Sequence, residues 1–306
     1  MRTYVLRRIL LMVPVVLGVT LVVFCIIHVA PGDPVLLLVG ERAPPEVYER
    51  VRRAWGLDQP LPVQYLTFLA NAARGELGTS ILLRRPVGDL LLTAVPVTLE
   101  LGFSAIALSV LAGVVAGVIS AARAGSAADQ ATMVGALLGV SVPEFWLGQL
   151  LMLAFAVRLK WLPVSGYGGI GHLILPMVAL GAAGAAVIAR TTRSSMLDVV
   201  RQDFVRTARA KGLAERVVIY KHALRNAMLP VTTLVGLQVG YMLAGSVVLE
   251  EVFSRPGMGR LMVKAILARD YPVVQGCLLV LAVSVAVANL VADLCYVLLD
   301  PRIRLH

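Results

Sequence analysis

Six stretches of the chain are almost unbroken runs of Leu, Val, Ala, Ile, Gly and Met, separated by polar sections of unequal length. They cover about residues 9–30, 95–121, 131–157, 172–189, 229–249 and 273–299. Each approaches or exceeds the roughly 20 residues that cross about 30 Å of hydrocarbon at 1.5 Å per helical residue. None alternates apolar and polar positions as a barrel strand does, so the pattern predicts helices. The first run follows MRTYVLRR but is too long for a signal peptide's apolar core and lacks a small-x-small cleavage site, so it reads as a retained anchor. The expected fold is an all-α polytopic membrane protein, one transmembrane domain over residues 1–306 with six helices and both termini on one side.

Composition agrees with the pattern. Hydrophobic residues make up 58% of the 306 and charged residues 15%, which removes the alternative of one or two soluble domains. Cys25, Cys277 and Cys295 lie inside apolar runs without pairing or ligand spacing and read as small buried side chains. The net charge of +10 raises the question of nucleic acid, and the distribution of that charge answers it. With the N-terminus inside, the inner segments hold 15 Lys/Arg in about 60 residues, nine of them between Arg190 and Arg225. The outer segments hold the other 13, spread more thinly, with most of the acids. Positive-inside therefore places the termini in the cytoplasm, the polar section 31–92 outside, and the section 190–228 in the cytoplasm. Within 31–92, EVYERVRRAW and VQYLTFLANAA predict short surface helices. Small-residue pairs at GxxxG spacing (Gly113/Gly117, Gly135/Gly139, Gly236/Gly240) predict close helix contacts, within the bundle or with a second subunit.

Candidate chemistry is sparse. Ionisable residues in the apolar runs are expensive and so are the first suspects. Glu100 and Asp293 lie near span ends, and Glu144, just after Pro143 in SVPEFWLG, is the deepest. Pro143 and Glu144 are candidates to line a translocation path at a helix break; a hydrogen-bonded helix contact is the alternative. One central acid without an evident partner argues against an ion-coupled relay. His28, His172, His222 and His306 have no ligand spacing, and the chain has no GxxxxGK[ST], HExxH or nucleophile elbow. The expectation is a non-enzyme that holds no metal or cofactor and has no ATP site of its own.

The remaining feature is the basic insert DFVRTARAKGLAERVVIYKHALRNAMLP, Asp203 to Pro230, with six Lys/Arg against two acids. Leu197, Val200, Phe204 and Ala208 share one predicted helical face, Gln202, Arg206 and Arg209 the other, and Gly212 is a helix stop. The insert lies on anionic headgroups or docks a cytoplasmic protein; with only Phe204 and Tyr220 as aromatics, it is not built for nucleic acid.

At these residues the chain resembles the permease family of ABC importers, whose mark is a Glu-Ala-Ala loop ending in Gly and then Leu-Pro. Ala208, Gly212 and Leu229-Pro230 match, while Arg206 and Thr207 replace the Glu and first Ala. The variant RTARAKGL…HALRNAMLP is similar to the dipeptide, oligopeptide and nickel branch. So are PGDP (31–34), GLDQPL (56–61), GELGTS (75–80), RRPV (84–87), the Pro-Val-Thr-Leu-Glu ending at Glu100, WLPVSGYG (161–168), RPGMGRL (255–261), ARDYPVVQG (268–276) and the LDPRIR end. The long outer section resembles the first permease of that branch. The resemblance implies a type I importer permease in a bacterial or archaeal cytoplasmic membrane. It also implies a heterodimer with a second permease, two cytoplasmic ATPase subunits holding ATP and Mg²⁺, and an extracytoplasmic solute-binding protein. Asp203, Phe204, Arg206, Thr207, Ala208, Arg209, Ala210, Lys211 and Gly212 would couple to the ATPase, with Phe204 and Ala208 packing and Arg206, Arg209 and Lys211 meeting polar or acidic groups. The solute, among peptides, glutathione-like thiols, nickel complexes and sugars, stays open. A standalone carrier or channel, and a membrane scaffold, are the readings from other classes.

Overall fold

In the computed structural model of the protein, the described residues are 2–29, 34–40 and 43–299. The motif residues 31–33 and 300–304, and the side chains of His28, Asp293, Cys295 and His306, lie outside the described ones. The helices in chain order are α1 Arg2–Val29, α2 Pro34–Val39, α3 Pro45–Ala54, α4 Leu61–Ala73, α5 Val87–Ala122, α6 Ala127–Ser141, α7 Glu144–Leu151, α8 Gly171–Val200, α9 Asp203–Ala210, α10 Glu215–Val217, α11 Leu224–Val252, α12 Met258–Leu267 and α13 Tyr271–Leu299. Wider π turns continue α7 over Met152–Arg158 and join α10 to α11 over Val218–Ala223. Among the described residues the only β pairing is an isolated bridge between Thr79 and Pro86.

Three helices, Val87–Ala122, Gly171–Val200 and Tyr271–Val291 within α13, are each long and apolar enough to cross a membrane, and the number reaches five if each bent pair forms one span. α1 adds 28 helical residues that are apolar over Leu10–Cys25. Helix ends differ from the apolar edges. α8 runs on past residue 189 to Val200, so the start of the expected loop 190–228 is helix, and α5 begins at Val87 rather than 95. The run 131–157 is not one straight crossing: its two halves, Ala127–Ser141 and Glu144–Arg158, meet at 107°. Pro143 has no amide hydrogen and forces the preceding residue out of helical geometry. Val142 is accordingly extended, at φ −88° and ψ 123°.

The chain divides into two compact units. One comprises Leu99–Arg255 with the chain's beginning and α13 from Val285. Its centre is α8, which touches α6, α7 and α11. The α5–α8 seam is too close for side chains. A Cβ on Gly113 would lie 2.7 Å from the Ala185 carbonyl and from Ile188, and one on Gly117 2.6 Å from the Ala189 carbonyl and from Thr192. Ser109 Oγ donates across the same seam to the Gly181 carbonyl at 2.7 Å. The predicted Gly113/Gly117 pair thus packs within the chain, whereas Gly135 faces open space. One core gathers Leu101, Ala105, Leu175, Ala179, Leu180, Met242, Leu249 and Phe253; another, around α9, gathers Val118, Met196, Val199, Val205, Ala208, Val218, Ala223 and Ala227.

The other unit comprises Leu6–Thr98 and Pro256–Ser284. Its core joins Val87, Leu90, Leu91 and Ala94 of α5 to Met258 and Ala265 of α12 and Val273, Val274 and Cys277 of α13. The expected surface helices are α3 and α4, and α4 also leans on α1: the Tyr65 hydroxyl donates to the Leu17 carbonyl at 2.9 Å, and its ring lies 5.4 Å from that of Phe24.

Candidate functional site

The break at Pro143 makes the deeper of two candidate sites. Glu144 becomes the first residue of α7, and its carboxyl rests against α11 where Gly245 leaves room. A Cβ at that glycine would lie 2.9 Å from Glu144 Oε2 and 3.2 Å from Leu180. The Tyr241 hydroxyl hydrogen-bonds this carboxyl. Gln238, one turn earlier on the same face of α11, donates its amide to the Gly184 carbonyl at 3.2 Å. Glu144 Oε1 and Gln238 Oε1 are buried with no donor in reach among the described residues. The sequence singled out Pro143 and Glu144; Tyr241, Gln238 and Gly245 were missed. Their i, i+3, i+7 spacing is visible only once α11 is known to face the break.

The second site is α9. After α8, Gln202 is extended at ψ 153°, so the expected face through Leu197, Val200, Phe204 and Ala208 is not continuous. The buried positions on α9 are Val205 and Ala208, and Phe204 is 39% exposed. This corrects the expected pairing of Phe204 with Ala208. Val205 takes the inner place beside Ala208, and Phe204 points outward with Asp203, Arg206, Thr207, Ala210 and Lys211. The Thr207 hydroxyl returns to the Asp203 carbonyl at 2.9 Å, and Arg206 lies 3.5 Å from Asp203. Arg209 is engaged within the chain, gripping Glu215 through two nitrogens at 3.2 and 2.7 Å. That guanidinium holds the Glu215 carboxyl below its ordinary value, and the carboxylate raises Arg209 in turn. The C-terminus of α9 closes in a Schellman motif: Leu213 N–H donates to the Ala208 carbonyl at 3.4 Å and Gly212 N–H to that of Arg209 at 2.9 Å. Gly212 takes φ +74° with open space around it, so backbone conformation rather than room requires glycine there.

Three polar ties hold the frame around these sites. At the ends of α5, α6 and α8, Arg193 grips Asp129 at 2.6 and 2.7 Å; Ser120 Oγ and the Gly125 amide also donate to this carboxylate. The signal for it was present as Ser126-x-x-Asp129, a helix-start pattern in which Ser126 accepts from the Asp129 amide. Arg255, completely buried, reaches Glu100 at 2.9 Å and the His172 carbonyl at 3.2 Å, with the Tyr167 ring 5.2 Å away. In the other unit Asp270 accepts from Ser80 Oγ and from the amides of Ile81 and Leu82, both at 3.1 Å. Glu100, Tyr167, Arg255, Ser80 and Asp270 all belong to motifs read separately in the sequence; the fold pairs them.

Residues 113–305 match the family described as "binding-protein-dependent transport system inner membrane component", and residues 1–102 match the N-terminal region described for such components. The chain belongs to this family. The permease is 45% identical over 304 residues to the glutathione transport system permease protein GsiC of Escherichia coli, covering 99% of each chain. It is 44% identical to the di/tripeptide transport system permease protein DppB of Pseudomonas aeruginosa, again over 99% of each. Among solved structures, an inward-facing MetNI methionine ABC transporter chain superposes with a TM-score of 0.58 at 18% identity, covering 69% of the permease and 96% of that chain. That likeness supports the type I permease fold alone.

The two candidate sites differ in chemistry. α9 offers an exposed aromatic on a helix whose C-terminal end is capped, which suits docking by a protein. The break offers acceptors with no donor among the described residues, which suits a ligand with donors.

Proposed function

We propose that this permease is the first of two related permeases in an ATP-driven importer of short peptides of the glutathione and di/tripeptide class. Its end-to-end similarity to permeases named for glutathione and for di/tripeptides carries this reading. Six crossings with cytoplasmic termini, two partner ATPases holding ATP and Mg²⁺, and an extracytoplasmic binding protein complete it. The density of Lys/Arg between Arg190 and Arg225 supports a cytoplasmic α9. Within Asp203 to Gly212, α9 is the coupling element. Phe204 fills a pocket of the ATPase while Arg206 and Lys211 orient the encounter, a division typical of an apolar anchor with charged neighbours. Val205 and Ala208 fasten the element to its own chain.

The test is the assembled transporter in proteoliposomes loaded with ATP, assayed with Ala-Ala and with glutathione. Phe204→Glu is expected to strip the ATPase from the purified complex and abolish uptake. An intact complex with normal uptake refutes the coupling role. Uptake by the permeases without ATPase or ATP favours a standalone carrier.

A further inference from the structure

Glu144 Oε1 and Gln238 Oε1 are two acceptors shut off from solvent that no group among the described residues satisfies. Their neighbours are already committed. The Gln238 amide nitrogen faces the Gly184 carbonyl, which accepts only, so the amide cannot be turned round without setting two oxygens together. The hydroxyl of Ser109, which lies near Gly184, donates to the carbonyls of Ala105 and Gly181. The absent side chain at Gly245 lets the Glu144 carboxyl lie flat on α11. Tyr241, 62% exposed, leaves one side of this group uncovered by the chain. A buried acceptor without a donor is costly, and a carboxylate most of all, so a group that brings N–H donors and a positive charge suits this arrangement.

We propose that Glu144, Tyr241 and Gln238 form a transit station for a protonated primary amine. In it the α-ammonium of the peptide meets the Glu144 carboxylate and a backbone N–H of the peptide meets Gln238 Oε1. Gln238 and Gly245, which marks the position of the carboxyl, stand about 10 Å apart along α11, a span that an extended tripeptide covers. The inference rests on the peptide reading above and adds to it the end of the peptide that the permease recognises.

The whole transporter is assayed in proteoliposomes for uptake of Ala-Ala and of glutathione, both of which carry an α-ammonium, together with ATP hydrolysis stimulated by the loaded binding protein. Glu144→Gln is expected to lower uptake about tenfold while hydrolysis stays within about twofold of wild type, and Glu144→Asp to recover uptake to within about threefold. Gln238→Met, which keeps the bulk and removes the acceptor, is expected to lower uptake by about threefold to tenfold. Wild-type-like uptake by Glu144→Gln overturns the station and leaves the peptide reading standing. Equal loss in Glu144→Gln and Glu144→Asp, with hydrolysis and thermal stability falling together, makes Glu144 a structural contact and overturns it too. Uptake that needs Na⁺ in wild type and loses that need in Glu144→Gln assigns the carboxylate to an inorganic cation, again overturning the ammonium. A wild-type complex that moves neither probe fails the peptide reading, and the proposed occupant with it.

Discussion

α9 and the break at Pro143 are both places where a helix is interrupted by a residue that cannot continue it, and they end in opposite states. At α9 the chain closes the C-terminal end: Gly212 supplies the left-handed turn, Leu213 and Gly212 cap the last carbonyls, and Val205 and Ala208 are sunk into a core. What remains outside is a side chain, Phe204. At the break Glu144 turns inward and, among the described residues, the hydrogen bonding stays open at Glu144 and Gln238. A satisfied helix offers shape to a protein, whereas an unsatisfied cluster offers acceptors to a small molecule.

The sharpest way to break that contrast is to destroy the anchoring of α9. Val205→Asp puts a charge into a fully buried position and is expected to destabilise the element by several kcal/mol. The purified complex should then lose its ATPase even though Phe204 is untouched. Next comes Gly245→Ala. The new Cβ meets the flexible end of Glu144, so stability should stay within about 1 kcal/mol while uptake falls severalfold. A matching fall in thermal stability would make Gly245 a packing residue. Gly212→Ala forces φ +74° on a residue with a Cβ and is expected to cost about 1–2 kcal/mol, read as faster amide exchange over 203–213.

The smallest effect belongs to the Arg209–Glu215 pair, which is exposed and therefore worth about 0.2–1 kcal/mol. The folded-state value of Glu215 is depressed by Arg209, so its contribution is present above the ordinary glutamate value and is lost as pH falls through the folded one. Arg209→Ala should therefore loosen the α9–α10 corner at neutral pH and make no difference in acid or at high salt. A pH-independent effect would assign Arg209 to the partner instead.

Much of the frame was legible in the sequence because lipid imposes it. Apolar runs marked α5, α8 and α13, but hydropathy detects where hydrocarbon ends and not where a helix ends. α8 accordingly continues through RTTRSSMLDVV, none of which belongs to the apolar run; Met196 and Val199, buried in the core shared with α9, hold it as helix against the weak propensity of its Thr, Ser, Asp and Val. The run 131–157 read as one crossing because its apolar content is continuous, and a single proline turned it through 107°. Phe204 was placed on one face with Ala208 because the helical period was carried across Arg201–Gln202; restarting the count at Asp203 gives Val205 and Ala208 as the buried pair. The Arg255–Glu100 tie joins residues that no local spacing relates, so periodicity never places them together.

The shared core of α9 and α8 has a mechanical meaning. Val205 and Ala208 pack with Met196 and Val199 near one end of α8, and Leu180, further along the same rod, stands beside the Gly245 seat of Glu144. From Leu180 to Met196 the helix is an unbroken strut of about 24 Å at 1.5 Å per residue. A load applied at Phe204 would meet no break in the helix over that length, so a rigid shift at the α9 end would carry to the wall next to the acceptors.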